Sequence, residues 1–139
     1  MSRIFWDTNI YIYLFEAHPS WGGRIQHMRQ RMRQRNDVLL TSWITLGELQ
    51  VKPYQLGQIE RCEKYRSAVL QSSQMISFAE DAERVFVQLR AQRVGSADAM
   101  QLACASAAQV HLFITNDERL HSLIVPNIDF IVGLDRVPY

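Results

Sequence analysis

The stretch Phe5–Leu14, FWDTNIYIYL, changes its apolar spacing at Asp7. Upstream, Ile4–Trp6 is a short unbroken apolar run, the pattern of a parallel strand buried on both faces. Downstream, Ile10 to Phe15 reads as a helix that Asp7 or Asn9 would cap. A carboxylate therefore stands where a buried strand hands over to a buried helix. Two readings of Asp7 follow. It is a helix cap, or it is one corner of a metal site, and the two are compatible because a carboxylate has two oxygens.

The same alternation continues along the chain. From Trp21 to Asn36 the apolar residues Trp21, Ile25, Met28 and Met32 are spaced 4, 3 and 4, which describes an amphipathic helix. Val38–Thr41 is a second strand, and Ser42 is placed to cap a helix from Trp43 to Val51 that stops near Pro53. A polar helix follows over Gly57–Leu70, with Ile59, Tyr65, Val69 and Leu70 inward. Met75–Phe78 is a third strand, and Ala79–Arg93 is a helix ended by Gly95. Ser96 caps a helix over Ala97–Ala108, whose small residues allow close packing. Val110–Thr115 is a fourth strand and IDFIV near the end a short fifth. Strands alternating with helices predict an α/β fold, a Rossmann-like sandwich around a mainly parallel sheet of roughly five strands, with residues 1–139 as one domain.

The chain has 139 residues and a net charge of +1, so composition makes no global case for nucleic acid. Of its 15 basic residues only Lys52 and Lys64 are lysine, a bias that suits bidentate phosphate contacts and equally a GC-rich genome. Cys62 and Cys104 form no CxxC and read as reduced thiols, Cys104 in the core, which with the lack of a leader or membrane span leads us to expect a cytoplasmic protein. The four histidines make no HxH or HExxH pattern, so zinc is not expected.

In open parallel sheets ligands bind beyond the carboxyl ends of the strands. Asp7 directly follows the first strand, Glu48 lies in the second turn of the helix after the second, and Asp117 follows the fourth by two residues. Asp98, in the first turn of the helix that enters strand four, is free to join them. Singly, each has a plain structural role: cap, turn residue or solvated helix face. Together, clustered carboxylates repel and raise one another's pKa, a penalty that a divalent cation removes. Oxygen-only ligands suit Mg²⁺ or Mn²⁺. No Ser–His or Cys–His pair, phosphate loop or dinucleotide fingerprint competes with this site. Metal-activated water attacking a phosphodiester needs only the carboxylates and the ion.

The segments FWDTNIYIYL, TSWITLGEL, SADAMQLACASA and LFITND resemble, in order and spacing, the PIN-domain nucleases, and most of all their small VapC-type toxins. The likeness runs from Ile4 to about Val132. It implies that Asp7, Glu48, Asp98 and Asp117 form the acidic catalytic and metal site, with Asp7 and Asp117 as the most direct ligands. It implies hydrogen-bonding support from Thr8, Asn9, Thr115 and Asn116. It implies an Mg²⁺- or Mn²⁺-dependent ribonuclease with one or two ions, an RNA substrate, a homodimer and a cognate antitoxin protein.

Arg24, Arg29, Arg31, Arg33 and Arg35 lie on one predicted helix. They are candidates for RNA phosphate or antitoxin contacts, or the solvated face of an amphipathic helix. Three other functions compete with this one: a PIN nuclease of RNA processing, a non-catalytic binding module, and a phosphoacceptor receiver. The receiver needs a Lys late in the chain, where none occurs.

Overall fold

The computed structural model describes residues 1–139. Five strands, β1 (Arg3–Trp6), β2 (Val38–Ser42), β3 (Gln74–Ile76), β4 (Val110–Ile114) and β5 (Ile128–Val132), form one sheet in the order β3-β2-β1-β4-β5. Every neighbouring pair is parallel. Six helices connect them: α1 (Thr8–Phe15), α2 (Gly22–Gln34), α3 (Trp43–Gln55), α4 (Ile59–Ser72), α5 (Glu80–Ala91) and α6 (Ser96–Ala108). This is the expected α/β sandwich. No helix is long and apolar enough to cross a membrane.

Strand β1 occupies the centre, and its alternating side chains enter two separate cores. Ile4 and Trp6 pack with α1 and α2 residues such as Ile10, Ile25 and Met28. Phe5 faces the other way, among Leu89 of α5 and Leu102 of α6. It stacks on Phe113, its register partner in β4, at 5.1 Å between ring centroids. A strand with both faces covered has no polar alternation, which is why Ile4–Trp6 reads as an unbroken apolar run.

Several boundaries depart from the sequence reading. Of the two cap candidates it is Asp7 that caps α1, its side chain accepting from the Thr8 amide, and the helix starts at Thr8 rather than Ile10. Helix α3 runs through Pro53 to Gln55. Leu46, Leu49 and Pro53 lie one turn apart and are all buried, so packing outweighs the one amide that proline lacks. The helix ends instead at Leu56, with Gly57 in the left-handed region (φ 72°). Ile59, expected inward on α4, is exposed, and Cys62 and Val69 take the inner positions. Helix α5 ends at Ala91, two residues short of the expected Arg93, with Arg93 at φ 69°. Gly95 is the cap of α6, a place expected for Ser96.

Because Phe113 is fully buried and stacked across the β1–β4 seam, Phe113→Ala should destabilise the fold by about 3–5 kcal/mol. Urea unfolding measures this, and a loss under about 1 kcal/mol would mean that the seam is not the centre of the core.

Candidate metal centre at the ends of β1 and β4

The chain steps from β1 to β2 to β3 in one direction, then returns to place β4 on the far side of β1. This reversal leaves a crevice at the carboxyl ends of β1 and β4, the usual ligand position in such sheets. Asp7 ends β1, and Thr115, Asn116 and Asp117 follow β4. Glu48 comes from α3 and Asp98 from the first turn of α6.

Asp7 is the deep residue, 7% exposed. Its Oδ1 accepts from the Thr8 amide at 2.8 Å and from Gln101 Nε2 at 3.4 Å, and its Oδ2 accepts from the Thr115 hydroxyl at 2.8 Å. All three donors are neutral. Burial, opposed by the Thr115 and Thr8 bonds and reinforced by the charges of Asp98 and Glu48, raises its pKa from 3.8 to about 6. Glu48 is exposed and reaches the same centre through Thr8, whose hydroxyl donates to Glu48 Oε1 at 2.7 Å.

The outer pair behaves differently. Both oxygens of Asp117 are taken by the Arg119 guanidinium, at 2.9 Å from Nε and 2.5 Å from Nη2. That partner holds the Asp117 carboxyl below its ordinary range. Asp98 stands 4.0 Å from the same Nη2. Its own pKa is raised, first by partial burial and then by the Asp117 charge. Thus the four acids expected from sequence gather at one end of the sheet, but no three of them converge as a ready-made ligand set.

Thr8, Asn9, Thr115 and Asn116 all hydrogen-bond within this region. Thr115 Oγ1 accepts from the Asp117 amide at 3.1 Å and from Asn9 Nδ2 at 3.5 Å, and Asn9 Oδ1 accepts from the Asn116 amide at 3.4 Å. Asn116 Nδ2 lies 3.5 Å from the Tyr13 hydroxyl.

Sequence reasoning missed Gln101, buried on α6. Its amide oxygen accepts from the Ser42 hydroxyl, while Nε2 reaches Thr45 Oγ1, Thr8 Oγ1 and Asp7 Oδ1. Gln101 lies three residues after Asp98, and Thr45 three before Glu48, so each shares a helical face with an acid already singled out. That spacing was the available signal. Arg119 carried none, because its approach to Asp117 depends on the short 3₁₀ turn at Glu118–Leu120. His121 bonds through Nε2 to the Thr115 carbonyl at 2.9 Å.

A model of the PIN domain matches residues 4–124. The chain belongs to the PIN domain family. Solved structures share its fold. A chain of VapBC2 from Rickettsia felis, crystallised with a DNA fragment from their promoter, aligns with a TM-score of 0.77 and 20% identity, covering 94% of this chain and 98% of that one. DNA-bound VapBC from Salmonella typhimurium gives 0.71 and 22%, covering 96% and 99%. A toxin–antitoxin complex from Klebsiella pneumoniae gives 0.64 and 24%, covering 98% of each. No curated protein matches the chain.

The Asp7 carboxylate costs the PIN fold stability whenever it is charged. Its pKa is higher folded than unfolded, so the penalty is absent below pH 3.8, grows as pH rises and is complete above about 6. Full expression corresponds to roughly 3 kcal/mol. In metal-free buffer at pH 7.5, Asp7→Asn should therefore stabilise the chain by up to about 3 kcal/mol, less what Thr115 loses as a donor. The gain should shrink to about 1 kcal/mol at pH 4.5. Urea unfolding at the two pH values tests this, and a difference independent of pH would refute it.

Proposed function

We propose that this PIN protein is an endoribonuclease that uses Mg²⁺ or Mn²⁺ and serves as the toxin of a VapBC-type pair. The observation that carries this reading is Asp7: a buried carboxylate at the sheet's switch point, held by neutral donors alone, with Glu48 and Asp98 raising its energy. Such a charge lacks a countercharge, and all the candidate donors are oxygen, the set preferred by hard divalent ions. Asp7, Glu48, Asp98 and Asp117 would hold the ion, Asp117 after exchanging its guanidinium partner. When bound, the ion supplies Lewis acidity, acidifying water and neutralising phosphodiester charge.

The chain's own residues do the remaining work. Thr8, Thr115 and Gln101 fix both oxygens of Asp7, so its lone pairs keep one direction. Thr8 ties Glu48 to the same centre. Arg119, once released from Asp117, would be an exposed donor able to meet an RNA phosphate.

The VapBC assemblies that share this fold support the antitoxin partner, and exposed Trp43, Val51 and Tyr54 on α3 offer apolar surface for a second copy. Of the four arginines on α2 and Arg35 at its C-cap, Arg24 donates to the Leu134 carbonyl at 2.5 Å and Arg35 pairs with Asp37 at 3.4 Å. Arg29 bonds the Ser72 carbonyl at 3.3 Å and Arg31 the Gln34 side chain at 3.0 Å. Contacts with RNA or antitoxin would draw first on Arg33.

Cleavage of total cellular RNA by the purified chain should require Mn²⁺ or Mg²⁺, stop with EDTA, and fall by at least about 100-fold in Asp7→Asn. Cleavage that survives EDTA, or persists in Asp7→Asn, would remove the metal-nuclease reading. Arg119→Ala frees Asp117, so calorimetric titration should show Mn²⁺ binding tightened by about tenfold. Unchanged or weaker binding would mean that the guanidinium does not compete with the ion.

A further inference from the structure

Along α3, Glu48, Leu49, Lys52 and Pro53 recur at helical spacing, and Leu56 caps the helix one turn further on, so the five share one face. That face lines a groove of about 420 Å³, whose other walls include Ile12 of α1 and Arg61 and Tyr65 of α4. Glu48 belongs both to this groove and to the acidic centre, where the Thr8 hydroxyl bonds it at 2.7 Å. The groove therefore leads out of the candidate metal centre between three helices. Glu48, Lys52, Leu56 and Arg61 are all exposed, so a ligand in the groove reaches them.

The two cations of the groove have no acidic partner. The ion pairs of the chain are made by Arg35 and Arg119, and Arg61 bonds the neutral Gln58 side chain at 3.3 Å. Glu16 also lines the groove but pairs with neither cation. Lys52 sits in the last turn of α3, where the helix dipole favours a cation. Arg61 sits in the first turn of α4, where the dipole disfavours one. Helix stability therefore does not account for Arg61. Beside the two charges the groove presents Ile12, Leu49, Leu56 and Tyr65. Cations next to apolar and aromatic surface are the combination that holds single-stranded nucleic acid, the charges taking phosphate and the apolar surface taking a base. The volume suits one nucleotide.

We infer that this groove is the subsite for the nucleotide next to the scissile phosphate of a single-stranded RNA. The inference rests on the proposed ribonuclease reading, in which one phosphate sits at the acidic centre. Lys52 and Arg61 bind a neighbouring phosphate, and Ile12, Leu56 and Tyr65 cover its base. An acidic peptide would also suit the two cations, but Glu48 at the head of the groove repels it. An RNA strand already held at the centre by a metal ion has to continue past Glu48.

The test is fluorescence anisotropy of the full chain with a dye-labelled single-stranded RNA of random sequence and about 12 nucleotides, in EDTA over a series of salt concentrations. Combining Lys52→Gln with Arg61→Gln should weaken binding by about tenfold. It should also flatten the plot of log affinity against log salt by about 1.4, roughly 0.7 for each lost phosphate contact. Arg66→Gln combined with Arg84→Gln removes two exposed charges outside the groove and should leave the slope unchanged. Leu56→Ser, at an exposed position, should weaken binding by about fivefold at unchanged slope. The inference is overturned if the parent shows no saturable binding, or if the Lys52 and Arg61 changes leave the slope as it was, the result expected if a peptide is the occupant. It is also overturned if the Arg66 and Arg84 changes flatten the slope equally, or if Leu56→Ser binds as the parent does. Cleavage in Mn²⁺, read separately, distinguishes the two failures. A chain that binds RNA in this way yet cuts none keeps the groove and loses the nuclease reading, whereas a chain that cuts with an unchanged slope loses the groove alone.

Discussion

Strand β1 is buried on both faces, and its last residue has to leave the sheet without stranding a polar group. Asp7 does this with three bonds at once. Its amide still belongs to the sheet, donating to the Ile114 carbonyl at 3.0 Å. Its Oδ1 receives the Thr8 amide and so caps α1, and its Oδ2 receives the Thr115 hydroxyl at the end of β4. One side chain thus joins the central strand, the first helix and the neighbouring strand. An apolar residue here would leave the Thr8 amide and the Thr115 hydroxyl short of an acceptor. The geometry of the crevice follows from this junction, because Thr115 also receives the Asp117 amide and orients the turn beyond β4.

The choice of a carboxylate over an amide at that junction is not explained by capping, since Asn caps as well as Asp. Burial opposes the charge, and Glu48 and Asp98 oppose it further. A fold selected for stability alone would avoid this combination. Sites that concentrate such conflicts are the usual places where sequence rules yield to chemistry. The bonds from Thr8 and Thr115 lower the cost without supplying a positive charge, and this keeps the carboxylate oriented and without a countercharge.

The fold was legible because its signals are local. The apolar run at Ile4–Trp6, the spacing of Trp21, Ile25, Met28 and Met32, and the turn residues after each strand each point to one element. Joined in order, they leave few topologies open to a short chain. The four acids were legible for the same reason, since three of them stand at strand ends or in the first turns beyond. What escaped were features that depend on contact across elements. Pro53 looked like a stop until the buried face of Leu46 and Leu49 carried α3 past it. Ile59 looked inward by spacing but lies just beyond the α3–α4 turn, where nothing covers it. Gln101 was one more polar residue on an alanine-rich helix until Ser42, Thr45, Thr8 and Asp7 were brought around it.

Depth divides the acidic site into two halves with different electrostatic solutions. The outer half, Asp117 and Asp98, is open enough for a guanidinium, and Arg119 neutralises it with two good hydrogen bonds to Asp117. The inner half, Asp7 with Glu48 beside it, makes no ion pair with any Arg or Lys. A guanidinium is broad and flat, and Thr8, Thr115 and Gln101 already crowd both oxygens of Asp7. A small divalent ion has no such restriction and carries twice the charge. On the proposed reading, the outer acids therefore set how readily the ion enters, through the exchange with Arg119, and the buried Asp7 sets how firmly it stays. Screening separates the two contributions, since added salt weakens the exposed Arg119 contacts far more than an interaction at Asp7. On the same reading one arginine would serve both states of the site. Displaced from Asp117, its exposed side chain would find in a substrate phosphate the bidentate geometry it gave up.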